Sequence, residues 1–357
     1  MSGILFWIRK WVEGELLAIP GRLIAIFFFL LLFLVPLFTK NAYFLDTLTL
    51  AALFAIYAAS WDVLAGFTGQ INLGHAAFFG VAAYTVALLN IHFGLMPWLT
   101  IPIGGMSAVI IGFIVGLPAL RLRGIYLSLV TLGFPIILSG VIVFFAGLTG
   151  GEFGLSGIDH LSESKVVDYY IVFVVMFVSL FLMYKFTDAE SKVIRVGVIL
   201  HAIREDEITA RKSGINTTKY KLLAFGMSGF FAGIAGSLYA HTIRNAGPST
   251  LELLFSFQAI LWTIFGGMAT IYGPVTGVFI LYPLIEFLRI YEMGEYVRFI
   301  LMALMLIVIL LFMPEGLTIW VRDKIEVKCP RCKLTNIIIK QSCRACGAPL
   351  HLNKHLN

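Results

Sequence analysis

Two groups of residues in this 357-residue chain have the types and spacing that chemistry requires. All four cysteines fall near the end, as Cys329-x2-Cys332 and Cys343-x2-Cys346, with ten residues between the pairs. Two such knuckles can close a tetrahedral four-thiolate metal site, and a segment this small needs a metal in order to fold. Zinc is the expected ion, with iron in a four-thiolate site as the alternative. A complete ligand set leaves no open position, so the expected role is structural; His351 and His355 follow as spare donors. The second group is Gln70, Asn72 and His75 in "GFTGQINLGHAAFFG", residues 66–80, where two amides and an imidazole are framed by glycines. In apolar surroundings such groups either satisfy backbone exposed by a broken helix or line a polar route. Two readings stay open. In one, Asn72 caps the helix running to Asn90 and His75 bonds a neighbouring carbonyl. In the other, free N–H groups and the positive end of that helix meet a passing anion.

The elements that carry these residues are set by hydropathy. A mean hydropathy of +0.93, with 59% hydrophobic and 13% charged residues, excludes a water-soluble fold of this length. Apolar windows near 23–38, 43–65, 72–90, 97–117, 124–146, 168–186, 221–243, 255–268, 274–289 and 297–313 approach the about 20 residues that span a bilayer as helix. The alternating ten-residue segments of a lipid-facing barrel are absent. The expected fold is an all-α polytopic membrane protein with about ten transmembrane helices in two inverted-repeat halves. The expected domains are an interfacial segment 1–22, a membrane domain 23–320 and a zinc ribbon-like domain 321–357.

A second break, "FGGMATIYGPVTG" at 265–277, follows the first by roughly two hundred residues. Transport proteins place their pathway at interrupted helices in corresponding positions of two halves. Gln70, Asn72, His75, Gly266, Gly267 and Gly273 are therefore the expected pathway or gate, with Thr68, Tyr126, Ser128, Thr131, Gln258 and Thr263 as further lining residues. A span starting at Tyr43 carries the first break to the far end of that span; a start near Thr49 places it deeper. Asp46, Asp62, Glu286 and Arg289 lie near span ends, so no deep, charged substrate site is expected. Small residues at four-step spacing in 104–116 and 226–237 predict close helix packing.

Charge sets the orientation. Arg121 and Arg123, the connection from Lys185 to Lys221 (which includes Lys192), and the tail are basic. The 147–168 connection carries Glu152, Asp159, Glu163 and Asp168 against Lys165. Alternating spans from a cytoplasmic N-terminus put every basic region inside, as a multi-pass protein of the cell membrane with both termini cytoplasmic. The net charge of +6 then reflects topology, and no nucleic-acid partner is implied.

The long basic connection has a helical pattern. Val193, Val196, Ile199, Leu200, Ile203, Ile208 and Ala210 recur mostly at three- and four-residue steps, and Gly214 with Asn216 ends the pattern. One amphipathic helix projecting from the membrane is expected. Within it, "EDEITARKSGIN" resembles the EAA loop of ATP-binding-cassette (ABC) importer permeases, E-x-x-A-x-x-x-G, on Glu207, Ala210 and Gly214. "GFTGQINLGHAAFFGVAAY", "RLRGIYLSLVTLGF", "TGGEFGLSGI", "FGGMATIYGPVTG" and "FMPEGL" extend the likeness from Ala42 to Leu317. The chain resembles the second permease of branched-chain amino acid (LIV-type) ABC importers, a family that also handles urea and short amides. It departs from the family at Gly197-Val198, at Pro135 and at Glu315.

The resemblance implies a permease subunit, not an enzyme. Its partners would be a second homologous permease, two ATP-binding subunits that dock on the 190–216 connection, an extracytoplasmic substrate-binding protein and the bilayer. Glu207, Ala210, Gly214 and Arg204 would couple it to the ATPases. No G-x-x-x-x-G-K-[ST] sequence occurs, so no nucleotide site is expected in this chain. The competing reading is a self-sufficient secondary transporter or channel for small polar solutes.

Overall fold

The computed structural model describes residues 20–122, 124–189, 195–290, 294–332, 335–338, 342–343 and 346–350. Of the residues singled out above, Arg123, Lys192, Val193, His351, His355 and all but the last three residues of segment 1–22 lie outside the described residues. The helices are α1 (Pro20–Phe38), α2 (Ala42–Thr68), α3 (Ala76–Phe93), α4 (Pro97–Ala119), α5 (Ile125–Phe144), α6 (Lys165–Thr187), α7 (Val196–Glu205), α8 (Glu207–Lys212), α9 (Thr217–Ile243), α10 (Leu253–Gly266), α11 (Tyr272–Ile290), α12 (Glu295–Phe312) and α13 (Leu317–Ile325). Among the described residues, seven helical stretches are long and apolar enough to cross a membrane, and Ile24–Phe38 and Leu253–Gly266 are shorter apolar helices. The protein is an all-α polytopic membrane protein; the expectation of about ten spans rests further on α1, α10 and α11.

Contacts divide the chain into two units, 41–316 and the terminal segments 1–40 with 317–357. In the larger unit, α2 is the axis. Asn41 starts it by accepting the Tyr43 N–H at 3.0 Å, and Gly69, at φ +71°, closes it on Ala65 O. Its 27 residues reach about 40 Å, and it is buried on all sides from Leu45 to Thr68 apart from Asp46 and Leu50 near its start. A helix with no polar face must be enclosed; α6, α9, α10 and α11 enclose it. The small-residue stretches meet as expected. A Cβ on Gly229 of α9 would lie 3.0 Å from Ala108 O of α4, and one on Gly233 would lie 3.0 Å from Gly104 O.

The two ends of α2 have opposite surroundings. At its start, Lys165 of the acidic connection pairs with Asp46 at 2.9 Å. That connection is tied down by β1 (Leu155–Ser156) pairing antiparallel with β2 (Asn245–Ala246). Asn90 exchanges two 2.9 Å hydrogen bonds with Asp159, and His241 Nδ1 lies 2.7 Å from Asp159 O. At the other end of α2, Phe67 meets His201 of the basic connection edge-on at 5.4 Å.

The basic connection departs from the expected single helix. It forms two, α7 and α8, split at Asp206. Asp206 is extended (φ −155°, ψ 105°), and its Oδ1 accepts the N–H groups of Ile208 at 2.8 Å and Thr209 at 3.3 Å. An aspartate that caps free amides begins a new helix, whatever apolar period runs through it.

In the smaller unit, α13 packs against α1 and runs into β3 (Glu326–Lys328), which pairs antiparallel with β4 (Thr335–Ile337). The hairpin therefore spans the first cysteine knuckle.

Candidate functional site

The first break, residues 69–75, leaves backbone groups that side chains from neighbouring helices satisfy. Thr131 Oγ1 accepts the Leu73 N–H at 3.1 Å, and Ser128 Oγ donates to Ile71 O at 2.9 Å. Trp61 Nε1 donates to Asn72 O at 2.7 Å, and Ser256 Oγ accepts the Ala76 N–H at 2.9 Å. Asn72 does not cap α3. Its Oδ1 accepts the Gly74 N–H at 2.9 Å, a local turn ahead of the helix. His75 bonds into α2: Nε2 lies 2.9 Å from Ser60 Oγ and 3.3 Å from Tyr57 O, with its ring stacked on Tyr57. Asn72 and His75 are both 0% exposed, so neither faces an open route. Gln70 is half-buried and takes no part in this network. A Cβ on Gly74 would fall 1.9 Å from Thr131 O, so this crossing requires glycine.

The second break, residues 267–271, is pinned by an acid. Asp62 Oδ1 accepts the Ala269 N–H at 2.8 Å, and Oδ2 accepts the Thr270 N–H at 3.0 Å. Gly266, Gly273, Gly277 and Gly316 bring backbones into contact here; a Cβ on Gly266 would be 1.8 Å from Gly273 O. Gly267 has φ +119°. Thr263 Oγ1 bonds Ala259 O at 2.8 Å and Ala58 O at 3.2 Å. Of the other expected lining residues, Thr68 bonds its own helix at Leu64 O, Gln258 is half-buried and Tyr126 is exposed.

In the hairpin of α7 and α8, Gly214 has φ +85°, a conformation that favours glycine, and releases the chain towards α9. Ala210 is 5% exposed and packed inside the hairpin. Glu207 is held internally: Lys221 Nζ donates at 2.6 Å, Arg211 at 2.9 Å and Thr217 Oγ1 at 3.3 Å. The helix cap is its neighbour Asp206, whose carboxyl the Thr209 hydroxyl, then the Thr209 and Ile208 N–H groups, hold below the usual carboxylate range. Burial, reinforced by the Arg204 guanidinium, holds His201 below the ordinary histidine value. Val198 and Ile208 remain exposed.

The four cysteines converge. Their Sγ atoms all lie within 4.8 Å of one another, with Cys329 to Cys346 and Cys332 to Cys343 at 3.5 Å. None is in a disulfide. Cys343 N donates to Ala348 O at 2.8 Å, and Asn336 Nδ2 lies 3.6 Å from Cys343 Sγ. Four thiols at this spacing, with an amide donor beside one sulfur, fit a metal ion.

Residues 43–309 match the family described as "Branched-chain amino acid transport system / permease component". The chain belongs to this family. It is 30% identical over 314 residues to the high-affinity branched-chain amino acid transport system permease protein LivM of Escherichia coli (strain K12), covering 79% of this chain and 72% of that protein. It is 29% identical to LivM of Salmonella typhimurium, covering 81% and 73%. It is 23% identical to the permease protein LivH of the same organism, covering 75% and 92%. The permease is thus a transport component and not an enzyme.

Two residues that organise the permease's breaks escaped the sequence reading. Asp62 was placed among charges near span ends, yet it is 0% exposed. An acid within an apolar span is itself a signal of function, and that signal was present. Ser256 carried none, because serines in apolar helices ordinarily bond their own backbone.

Proposed function

We propose that this permease is the second-permease-type subunit of an ABC importer. It would move branched-chain amino acids, or related small amino acids and amides, across the cytoplasmic membrane. The observation that carries the reading is the match over residues 43–309 together with 30% identity to LivM against 23% to LivH. Its partners in this reading are a second homologous permease, two ATP-binding subunits and an extracytoplasmic substrate-binding protein. The ATPases dock on the 190–216 connection, where Val198 and Ile208 are exposed beside Arg204. Glu207, Ala210 and Gly214 shape the hairpin that they meet. Gln70, Asn72, His75, Gly266, Gly267 and Gly273 serve as a gate in which glycines permit the breaks. The placement of acidic and basic connections at opposite ends of α2 supports cytoplasmic termini.

The four cysteines hold one structural zinc ion, in a domain 321–357 that follows the membrane domain 23–320 and the interfacial segment 1–22. When bound, the ion supplies a cross-link between two knuckles that are too small to fold alone.

Purified complex in proteoliposomes, with binding protein outside and ATP inside, tests the transport reading. Uptake of radiolabelled leucine that requires ATP and all subunits is expected. Uptake by this chain alone without ATP would establish the competing secondary transporter or channel.

A further inference from the structure

Asp62 and Gly66 lie four residues apart on one stripe of the final two turns of α2, and Gly69 follows that stripe as the C-cap. Each of these positions meets a part of the permease distant in sequence. At Gly69, the nearest atom to a built Cβ is Cγ of Arg204 from α7, at 3.9 Å. At Gly66, a Cβ would lie 2.7 Å from Ala269 N of the second break. At Asp62, the carboxylate takes the N–H groups of Ala269 and Thr270 at 2.8 and 3.0 Å. The last turns of α2 therefore meet both the hairpin, through Phe67, and the second break, through Asp62, within about 10 Å of helix length.

The remaining contacts make α2 a stiff connection. Phe67 receives the ring of His201 from α7, and Trp61 and Ser60 engage Asn72 and His75 of the first break. A displacement of α7 cannot leave the end of α2 in place without losing the Phe67–His201 contact. The end of α2 in turn cannot shift without carrying the two amides bound to Asp62. Both breaks thus connect to the docking hairpin through α2, the first by neutral hydrogen bonds and the second by a carboxylate that accepts two successive backbone N–H groups.

We infer that Asp62 is a positioning residue that couples movement of the docking hairpin to the second break during transport. This rests on the importer reading above. Without its carboxylate, ATP hydrolysis proceeds while the break no longer follows the hairpin.

The test uses the complete complex in proteoliposomes, with Asp62→Ala and Asp62→Asn beside the parent protein. Three quantities are measured: co-purification of the ATPases, ATP hydrolysed, and radiolabelled leucine imported. The expected result for Asp62→Ala is normal co-purification, hydrolysis within about twofold of the parent, and leucine imported per ATP lowered about tenfold or more. Asp62→Asn, which keeps one acceptor oxygen, falls between. An unchanged leucine-to-ATP ratio in Asp62→Ala overturns the inference, as does a parallel fall in import and hydrolysis. If Asp62→Ala does not assemble, the same ratio is read from Asp62→Asn. Failure of both to assemble makes Asp62 a folding determinant and also overturns it. Absence of ATP-driven import by the parent complex is a different outcome, which counts against the importer reading itself.

Discussion

The carboxylate of Asp62 accepts the backbone N–H of Ala269 at 2.8 Å, although the two residues are 207 positions apart. With Thr270 on its second oxygen, Asp62 supplies the acceptors that the entry to α11 cannot find within its own chain segment. A net hydrogen bond contributes about 0.5–1.5 kcal/mol, and a buried N–H left without its acceptor costs about 1–3 kcal/mol. The second break is therefore anchored, and its geometry depends on the helix that carries the acid.

Gly66 is needed for this anchor because a side chain there has nowhere to go. A Cβ would stand 2.0 Å from Asp62 Oδ1 and 2.7 Å from Ala269 N. Gly66→Ala should push the second break away from α2 and cost about 1–3 kcal/mol. The unfolding midpoint of the detergent-solubilised protein should fall; an unchanged midpoint would show that the break can move aside freely.

Lys221 is nearly enclosed, its side chain 5% exposed, and Glu207 is its ionic partner at 2.6 Å. Glu207→Gln leaves that ammonium without a counter-charge and should destabilise the hairpin by about 1.5–3 kcal/mol. Replacing both residues, Glu207→Met with Lys221→Met, should recover much of the loss. Thermal unfolding of the single and double variants gives the coupling between them, and strictly additive losses would contradict a local pair. ATPase co-purification should weaken in Glu207→Gln while membrane insertion persists.

Asp206 caps α8 as a carboxylate whose proton affinity is lowered by Thr209 first and Ile208 next. A depressed folded-state value means that the stabilisation is fully present above the ordinary aspartate value, about 3.9. It is lost as pH falls through the lower folded-state value. Protection of the Ile208 and Thr209 amides from hydrogen exchange should hold down to about pH 4 and decline only below it. Asp206→Ala should abolish that protection at neutral pH, whereas Asp206→Asn should retain much of it.

The cysteine cluster should bind one metal ion per chain. Native mass spectrometry of the parent protein should show one zinc, absent in Cys329→Ser. A metal-free parent, or iron in place of zinc, would correct the assignment. Because Cys329 and Cys343 are buried against Leu350, chelation should also expose this small core to proteolysis.

Much of this permease was legible in its sequence. Ten apolar windows coincide with ten helices, since crossing a bilayer as helix demands an uninterrupted apolar run. Gly214 and the four cysteines took their expected local forms because φ > 0 and thiolate spacing are short-range properties. The single helix expected over the basic connection failed, because the apolar period running from α7 into α8 concealed the break that Asp206 makes by meeting the free amides of α8. Gln70 was grouped with Asn72 and His75 by proximity alone, but its side chain stays outside the hydrogen bonds they make.

The sequence by itself determined the membrane class, the positions of the apolar helices, the family and the paired cysteines. Each is written in hydropathy, in local backbone preference or in motifs. Tertiary structure alone decided which polar group answers which broken backbone. Ser256 serves the first break and Asp62 the second because helix packing brings them there. A hydrogen bond is made only at close range and in the right direction, and no local pattern records which two distant turns will meet.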